Sequence, residues 1–369
     1  MNNNKKKITI ADIARLAGVS IGTVDRVLHN RGEVSEKTRT KVVEIIKKLN
    51  YYPDILASNL ARKKNIKIAI FIPEQQPDSA FWKMPIIGIK KSLDEYSYLN
   101  IKVDFFFYNQ FDYKTFVTKI KEVIDYKPDG ILFAPGFHNE SKEFISHCNE
   151  LNIPIVLINS TIDETNYLMY IGQDSFQSGY LAAKLFSLIF TSGNILIVNI
   201  SKNLATHHHI LNRNNGFQNF FIRNGLYDIR VHICNLNTTD QKIINSELND
   251  VFESLKTVNG IFVPSSRVYK VAEFIKQKNI KTRLIGFDLI EENISYLENG
   301  KIDFIISQKP VDQGYIGLSI LIQYLFFRKE PSTKNFYIPI EIVTKENMKY
   351  YLSYYENYEI NEYEMRKYK

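Results

Sequence analysis

The sequence predicts an all-α helix-turn-helix headpiece followed by an α/β body of two doubly wound parallel sheets. Three observations lead there. Residues 9–49 carry three helical patterns, each opened by a hydroxyl residue able to cap it. From Ile66 onward, short apolar runs alternate with helical stretches, as strand–helix–strand units of a parallel sheet do. The charge is also lopsided: residues 1–65 hold fourteen Lys and Arg against six Asp and Glu, whereas the rest of the 369-residue chain is close to neutral.

Thr9 opens the first helix, and Asp12 three residues on completes a capping box; Ile13, Leu16 and Ala17 form the apolar stripe. Gly18 ends it. Ser20 caps a second helix, Ile21 to about His29, with Val24, Val27 and Leu28 inward and Gly22, Thr23, Asp25 and Arg26 outward. The pair makes a helix-turn-helix. Ser35 begins a longer helix through Leu49, in which Val42, Ile45, Ile46 and Leu49 repeat at helical spacing and cover the first two. Pro53 then stops the chain, and Asp54 can cap a short segment, Ile55 to Leu60, followed by Arg62, Lys63 and Lys64 where cations complement the helix dipole. That segment is too short to be stable alone.

In the body, strands are predicted at Ile66–Ile72, Ile101–Tyr108, Gly130–Ala134, Pro154–Asn159, Ile195–Ile200, Arg230–Leu236, Gly260–Pro264, Arg283–Phe287 and Phe304–Ser307. Helices are predicted at Met84–Tyr98, Lys114–Asp125, Ser141–Leu151, Ser175–Phe190, Arg213–Arg223 and Val311–Phe327. Open α/β sheets bind ligands at the carboxyl ends of their strands. The residues there are polar: Asn159 and Ser160, Gln173 and Asp174, Ser265 and Ser266, Asp288, and Gln308.

An apolar fraction of 44% excludes general disorder. Cys148 and Cys234 stand far apart and outside any CxxC pattern, which fits a reducing compartment. The N-terminal lysines run straight into the first helix without the apolar core of a signal peptide, and no apolar run approaches a membrane span. The expected location is the cytoplasm, in association with the nucleoid and with no membrane partner. A basic headpiece on a near-neutral body suits a module that binds phosphate backbones.

The headpiece resembles the lactose-repressor (LacI) family of bacterial transcription regulators. The likeness lies in Ile10-Ala11-Asp12-Ile13-Ala14, Ala17-Gly18-Val19-Ser20, Thr23-Val24-Asp25-Arg26-Val27-Leu28, Val34-Ser35-Glu36-Lys37-Thr38-Arg39 and Leu49-Asn50-Tyr51-x-Pro53. It implies a homodimer, or a higher assembly, on a near-palindromic double-stranded operator. The DNA-contacting residues would be Ser20, Ile21, Gly22, Thr23, Asp25, Arg26, His29, Asn30 and Thr38. In the family the hinge folds on DNA and pushes a leucine into the minor groove; Leu60 matches it, with Ala57 against the symmetry mate. Asp25 stands where many relatives have Ser, and would either accept from a cytosine N4 or orient Arg26.

The resemblance also implies a type I periplasmic-binding-protein-like body: two α/β lobes joined by three crossings, expected near Gly172, Gln308 and Phe327–Tyr337, with a sugar-type effector in the cleft. Phe81-Trp82 is similar to the aromatic pair that sandwiches the sugar, Arg213 with Gly216-Phe217 to Arg-x-x-Gly-Phe, Gly286-Phe287-Asp288 to Gly-Phe-Asp, and Gln308 to a late strand-end glutamine. The expected effector residues are Phe81, Trp82, Asn159, Gln173, Asp174, His207, Arg213, Ser265, Asp288 and Gln308. Ribose-binding relatives usually have Asp-Arg where this chain has Asn159-Ser160, and Asn in place of Ser265, which argues against a plain ribose site.

Plainer readings stand beside these. Arg213 could anchor a helix start by an ion pair, Asp288 could cap the next helix, and Phe81 or Trp82 could be core aromatics. Adjacent histidines such as His207, His208 and His209 point in different directions, so no metal is expected; nor is a cofactor. No phosphate loop, nucleophile elbow or HExxH occurs, so the cleft is expected to bind without catalysing. The expected domains are 1–52 (headpiece), 53–65 (hinge helix and linker), 66–348 (two-lobed effector domain) and 349–369 (a Tyr-rich extension packed on the body or a partner). The expected function is a transcription regulator, a repressor or an activator, of carbohydrate-utilisation genes, with repression the favoured reading. The alternatives are a sugar transporter's solute-binding protein and a sugar-processing enzyme fused to a DNA-binding domain.

Overall fold

The structure, a computed structural model, describes residues 9–28, 32, 34–49, 65–202 and 208–353. The chain divides into two units, Met1–Lys64 and Asn65–Lys369. The expected hinge helix with Ala57 and Leu60, together with His29, Asn30, His207 and the tyrosines from Tyr354 onward, lies outside the described residues.

In the first unit, α1 (Ile10–Ala17), α2 (Ile21–Leu28) and α3 (Glu36–Lys48) follow the three capping signals. The Thr9 hydroxyl accepts from the Asp12 N–H at 3.3 Å, and an Asp12 carboxylate oxygen accepts from the Thr9 N–H at 3.0 Å. Gly18 closes α1 in the left-handed region (φ 65°). Ser20 accepts from the Thr23 N–H and Ser35 from the Thr38 N–H. Ile13, Ala14, Ala17, Val24, Val27 and Val42 form the buried centre. Leu16 departs from expectation, at 55% exposed. With 3.6 residues per turn it lies about 100° off the face shared by Ile13, Ala14 and Ala17.

In the second unit the chain runs through β1 (Ile66–Pro73), a 3-10 turn (Pro77–Trp82), α4 (Lys83–Glu95), β2 (Ile101–Tyr108), α5 (Tyr113–Tyr126), β3 (Gly130–Phe133), α6 (His138–Glu150), β4 (Ile155–Ile158) and β5 (Met169–Gly172). It crosses into a second lobe of α7 (Ser175–Ser187), β6 (Gly193–Ile200), α8 (His208–Arg223), β7 (Ile229–Leu236), α9 (Gln241–Leu255), β8 (Gly260–Phe262), α10 (Val268–Lys278), β9 (Arg283–Phe287), α11 (Glu291–Glu298) and β10 (Phe304–Ser307). Then α12 (Pro310–Phe327) and β11 (Asn335–Tyr337) return to the first lobe, and β12 (Glu341–Val343) ends in the second.

The first sheet has the order β11-β5-β4-β3-β1-β2 and is parallel throughout; the second is β12-β10-β9-β8-β6-β7, parallel except for β12. Both faces of each sheet are covered, as parallel sheets require. On β1, Ile68, Ile70 and Ile72 pack with Ile89 of α4 and Leu318 of α12, while Ala69 and Phe71 turn to Phe116 of α5 and Phe144 of α6. The second lobe repeats the scheme: Ile195 and Ile197 face Phe186 and Phe217 on α7 and α8, and Leu196 and Val198 face Ile244 and Val271 on α9 and α10.

Two expected crossings are where the sequence puts them, at Gly172–Ser175 and Ser307–Pro310. The third is displaced. Residues 335–337 still pair with Tyr170–Gly172 of β5, so the chain adds an edge strand before crossing at Ile338–Ile340. Helix α8 begins five residues before Arg213, and strands β5, β11 and β12 were not anticipated.

Candidate functional site

The carboxyl ends of strands from both sheets open onto one cavity, about 460 Å³ when the open solvent at its mouth is counted. The first lobe contributes Gln110 beyond β2, Asn159 beyond β4, and Phe81 and Trp82 from the 3-10 turn. The second contributes Ser265, Ser266 and Arg267 beyond β8, Asp288 beyond β9, Gln308 beyond β10, and His209 and Arg213 from α8. Seven of the ten expected effector residues thus line one space: Phe81, Trp82, Asn159, Arg213, Ser265, Asp288 and Gln308. Phe81 and Trp82 serve twice: their rings meet edge to face at 5.0 Å, and both belong to the first lobe's core while lining the cavity.

A buried polar chain runs through the second lobe's wall. Arg213 gives an Nη1–H to the Pro264 carbonyl at 2.8 Å and an Nη2–H to Gln308 Oε1 at 2.6 Å. Gln308 then donates through Nε2 to both oxygens of Asp288, at 3.0 and 2.9 Å. The glutamine therefore links guanidinium to carboxylate, with each of its polar ends matched. The Arg213 guanidinium lies 3.7 Å from the centroid of the Phe287 ring. Arg213 Nε is buried and without a hydrogen-bond partner among the described residues. Burial pushes the Asp288 carboxyl up to about 7, outweighing Arg213 and Gln308, which favour the charged form. Burial likewise pulls Arg213 down to about 10, against the pull of Asp288, and leaves it charged at neutral pH.

The motifs acquire physical reasons. A Cβ on Gly286 would lie 2.3 Å from the Val268 side chain, so only glycine lets α10 sit this close to β9. Phe287 supplies the ring under Arg213, and Asp288 takes the left-handed backbone (φ 66°) that aims its carboxyl into the cleft. Asn159 adopts the same region at the end of β4 (φ 69°).

Gln173 and Asp174 are placed elsewhere. They line a neighbouring hollow rather than the cavity of Arg213 and Asp288. Asp174 caps α7, accepting from the Gln177 N–H at 2.9 Å. Gln173 donates to the Ser307 carbonyl at 2.7 Å and the Pro339 carbonyl at 3.4 Å. The reason is topological: after β5 the chain leaves the lobe, so the first side chains beyond that strand serve the crossing.

Sequence reasoning missed Gln110, His209 and Arg267. All three follow from the strand-end rule or from a helix start, but only the folded loops show which residues turn inward. The lobes also meet across the cleft. Ser160 Oγ lies 3.1 Å from His209 Nδ1, the rings of His138 and His208 are 4.3 Å apart, and Lys202 lies 4.7 Å from the Phe111 ring centroid. Burial, then the neighbouring His138, lowers the His208 pKa, with Asp163 opposing. Among the described residues no group of three or more His, Cys, Asp or Glu side chains is placed to hold a metal ion, and no helix is long and apolar enough to cross a membrane.

On the headpiece, taken by itself, α2 presents Ile21 (56% exposed), Gly22 and Arg26 outward, with Thr23 and Asp25 half-buried. The hydroxyls of Ser20 and Thr23 are 2.9 Å apart, and those of Ser35 and Thr38 are 2.8 Å apart, each pair at the start of a helix. A helix start with exposed hydroxyls suits phosphate oxygens.

Residues 9–54 match the family model for bacterial regulatory proteins of the lacI family, and residues 68–329 the one for a periplasmic binding protein domain. The chain is similar to catabolite control protein A of Priestia megaterium, 31% identical over 323 residues covering 86% of this chain and 92% of that protein. With the sucrose operon repressor of Staphylococcus xylosus it is 31% identical over 48% of this chain and 51% of the relative, and several other curated relatives are likewise matched over about half their length. A crystal structure described as a LacI transcriptional regulator from Bacteroides fragilis superposes with a TM-score of 0.73 at 32% identity, over 78% of this chain and 99% of that one. With both units matched in order and a relative spanned nearly end to end, the chain belongs to the lacI family of bacterial regulatory proteins.

Proposed function

We propose that the chain is a sequence-specific DNA-binding repressor of carbohydrate-utilisation genes, whose operator affinity is set by a small polyhydroxylated effector in the interlobe cleft. The observation that carries this reading is the Arg213–Gln308–Asp288 chain facing Phe81 and Trp82 in one cavity, in a polypeptide that also bears a helix-turn-helix. Neighbouring hydroxyls each donate and accept, so they suit a wall offering a carboxylate, amides and serine hydroxyls. The C–H face of a sugar ring suits the aromatic pair. A ligand that bridges both lobes favours the closed arrangement through contacts the open one lacks, and the differential affinity becomes a change in operator affinity.

A dimer would place two copies of α2 on the half-sites of a near-palindromic operator, with Arg26, Gly22 and Ile21 on the base-reading face and Ser20 and Thr38 at phosphates. The test selects operator fragments with the full chain, then compares wild type and Arg26→Ala on the selected site and on random DNA. Arg26→Ala should cost about 1–3 kcal/mol more on the selected site than on random sequence. Equal losses on both would reduce Arg26 to a backbone contact.

A further inference from the structure

We propose that the effector is a disaccharide, with one ring in the cavity of Arg213 and Asp288 and the other in an adjoining hollow of the same cleft. This rests on the cleft being the effector site. The adjoining hollow measures about 480 Å³ when the open solvent at its mouth is counted, and it lies beyond the carboxyl ends of β1, β2, β3 and β4. Trp82, Gln110, Asn159 and His209 line both spaces, so the two abut. Each falls within the size range of sites that hold a small ligand.

The second hollow has the composition of a sugar site. Pro73, Trp82, Tyr108 and Ile162 give it a buried, largely apolar lining. The Tyr108 hydroxyl donates to the Ala134 carbonyl at 2.8 Å, which leaves the ring as apolar surface. Ser160, Thr161 and His208, each half-buried, add two hydroxyls and an imidazole. Aromatic carbon suits the C–H face of a ring, and the polar groups suit its hydroxyls. Among the described residues no Asp, Glu, Lys or Arg lines this hollow, in contrast to the first cavity, so the second ring is uncharged.

The junction carries its own signal. Gln110 lines both spaces, and its Nε2 is buried with no hydrogen-bond partner among the described residues. A buried N–H without an acceptor is costly. The bridging oxygen of a glycoside, or a hydroxyl beside it, supplies that acceptor at the point where one ring gives way to the next. His208 and His209 open α8, so the second ring, like the first, meets both lobes. A two-ring ligand therefore favours the closed arrangement at two points of the cleft.

The test is isothermal titration of the full-length protein with each disaccharide beside its own components: maltose, cellobiose and trehalose with D-glucose; sucrose with D-glucose and D-fructose; lactose and melibiose with D-galactose and D-glucose; xylobiose with D-xylose. One disaccharide should bind about 100-fold more tightly than either of its components. Thr161 lines the second hollow and not the first, so Thr161→Trp should fill it, removing most of that gain while the component sugar keeps its affinity. A monosaccharide that binds as tightly as every disaccharide containing it overturns the two-ring assignment and leaves the cleft reading intact. Unchanged disaccharide affinity in Thr161→Trp overturns the placement of the second ring. If no sugar of either size binds, the cleft reading fails as well. Should Thr161→Trp fail to fold, the wild-type comparison of disaccharide and components still decides.

Discussion

Asp288 is held 3% exposed, in left-handed backbone, with Gln308 Nε2 donating to both carboxylate oxygens and Arg213 one side chain further on. Its pKa is raised from 3.8 to about 7, so the folded chain holds a proton that the unfolded chain releases. The sign follows from linkage: a raised native pKa contributes stability that is complete below the unfolded value and is lost as pH rises to the folded one. Compared with Asp288→Asn, the effector-free wild type should lose about 1.4 kcal/mol per pH unit between roughly pH 4 and 7, then level off. Urea unfolding of both proteins at pH 5, 6, 7 and 8 checks this, and a constant difference across that range would refute a buried, protonatable Asp288. His208 titrates in the other sense: its lowered pKa means its contribution is present above the ordinary histidine value and fades as pH falls. These assignments were legible from the sequence as positions, since Asp288 and Gln308 directly follow apolar runs. Their pairing through Gln308 was not, because residues 288 and 308 close on each other only when β9 and β10 lie side by side.

Helices α7 and α8 owe their closeness to two glycines. A Cβ on Gly179 would stand 1.9 Å from the Arg213 carbonyl oxygen, and one on Gly216 would stand 1.9 Å from that of Phe176. Each helix thus presents a bare backbone to the other's carbonyl, which fixes the height of Arg213 above Phe287. Gly179→Ala gains about 1 kcal/mol of helix propensity, yet a backbone clash of this depth forces the helices apart. The expected net loss is on the order of 1–3 kcal/mol, a fall in melting temperature of roughly 5 °C, with weakened effector binding because Arg213 moves with its helix. Calorimetric melting together with effector titration checks it; a more stable variant with unaltered binding would show that the pair has room to spare. Most elements of eight or more residues were readable from periodicity, but α9, α10 and α11 were not given positions of their own. The missed strands β5, β11 and β12 have four, three and three residues, no fewer than β8 with three, but two of them lie at sheet edges where pairing, not pattern, defines them.

At the scale of the molecule, the three crossings between the lobes are tied to one another. Gln173 in the first crossing donates to Ser307 at the second and Pro339 in the third, and Lys309 pairs with Glu341 at 3.1 Å across the second and third. The two sheets and three crossings followed from strand–helix alternation and family likeness, but the Gln173 tie could not, since it joins residues more than 130 positions apart. A side chain bound to all three crossings makes them turn together, so that rotation of one lobe is one motion and not three independent ones. Gln173→Ala removes that tie without touching the Arg213–Gln308–Asp288 chain. The variant should fold, with a loss of about 1–2 kcal/mol from the carbonyls left unmatched. Its main effect should be on coupling: the ratio of operator affinities with and without effector should move several-fold towards one, and by reciprocity the ratio of effector affinities with and without operator should change by the same factor. Measuring both ratios on wild type and variant tests the hinge directly. A Gln173→Ala protein with full coupling would mean that the crossings transmit the lobe rotation through the backbone alone.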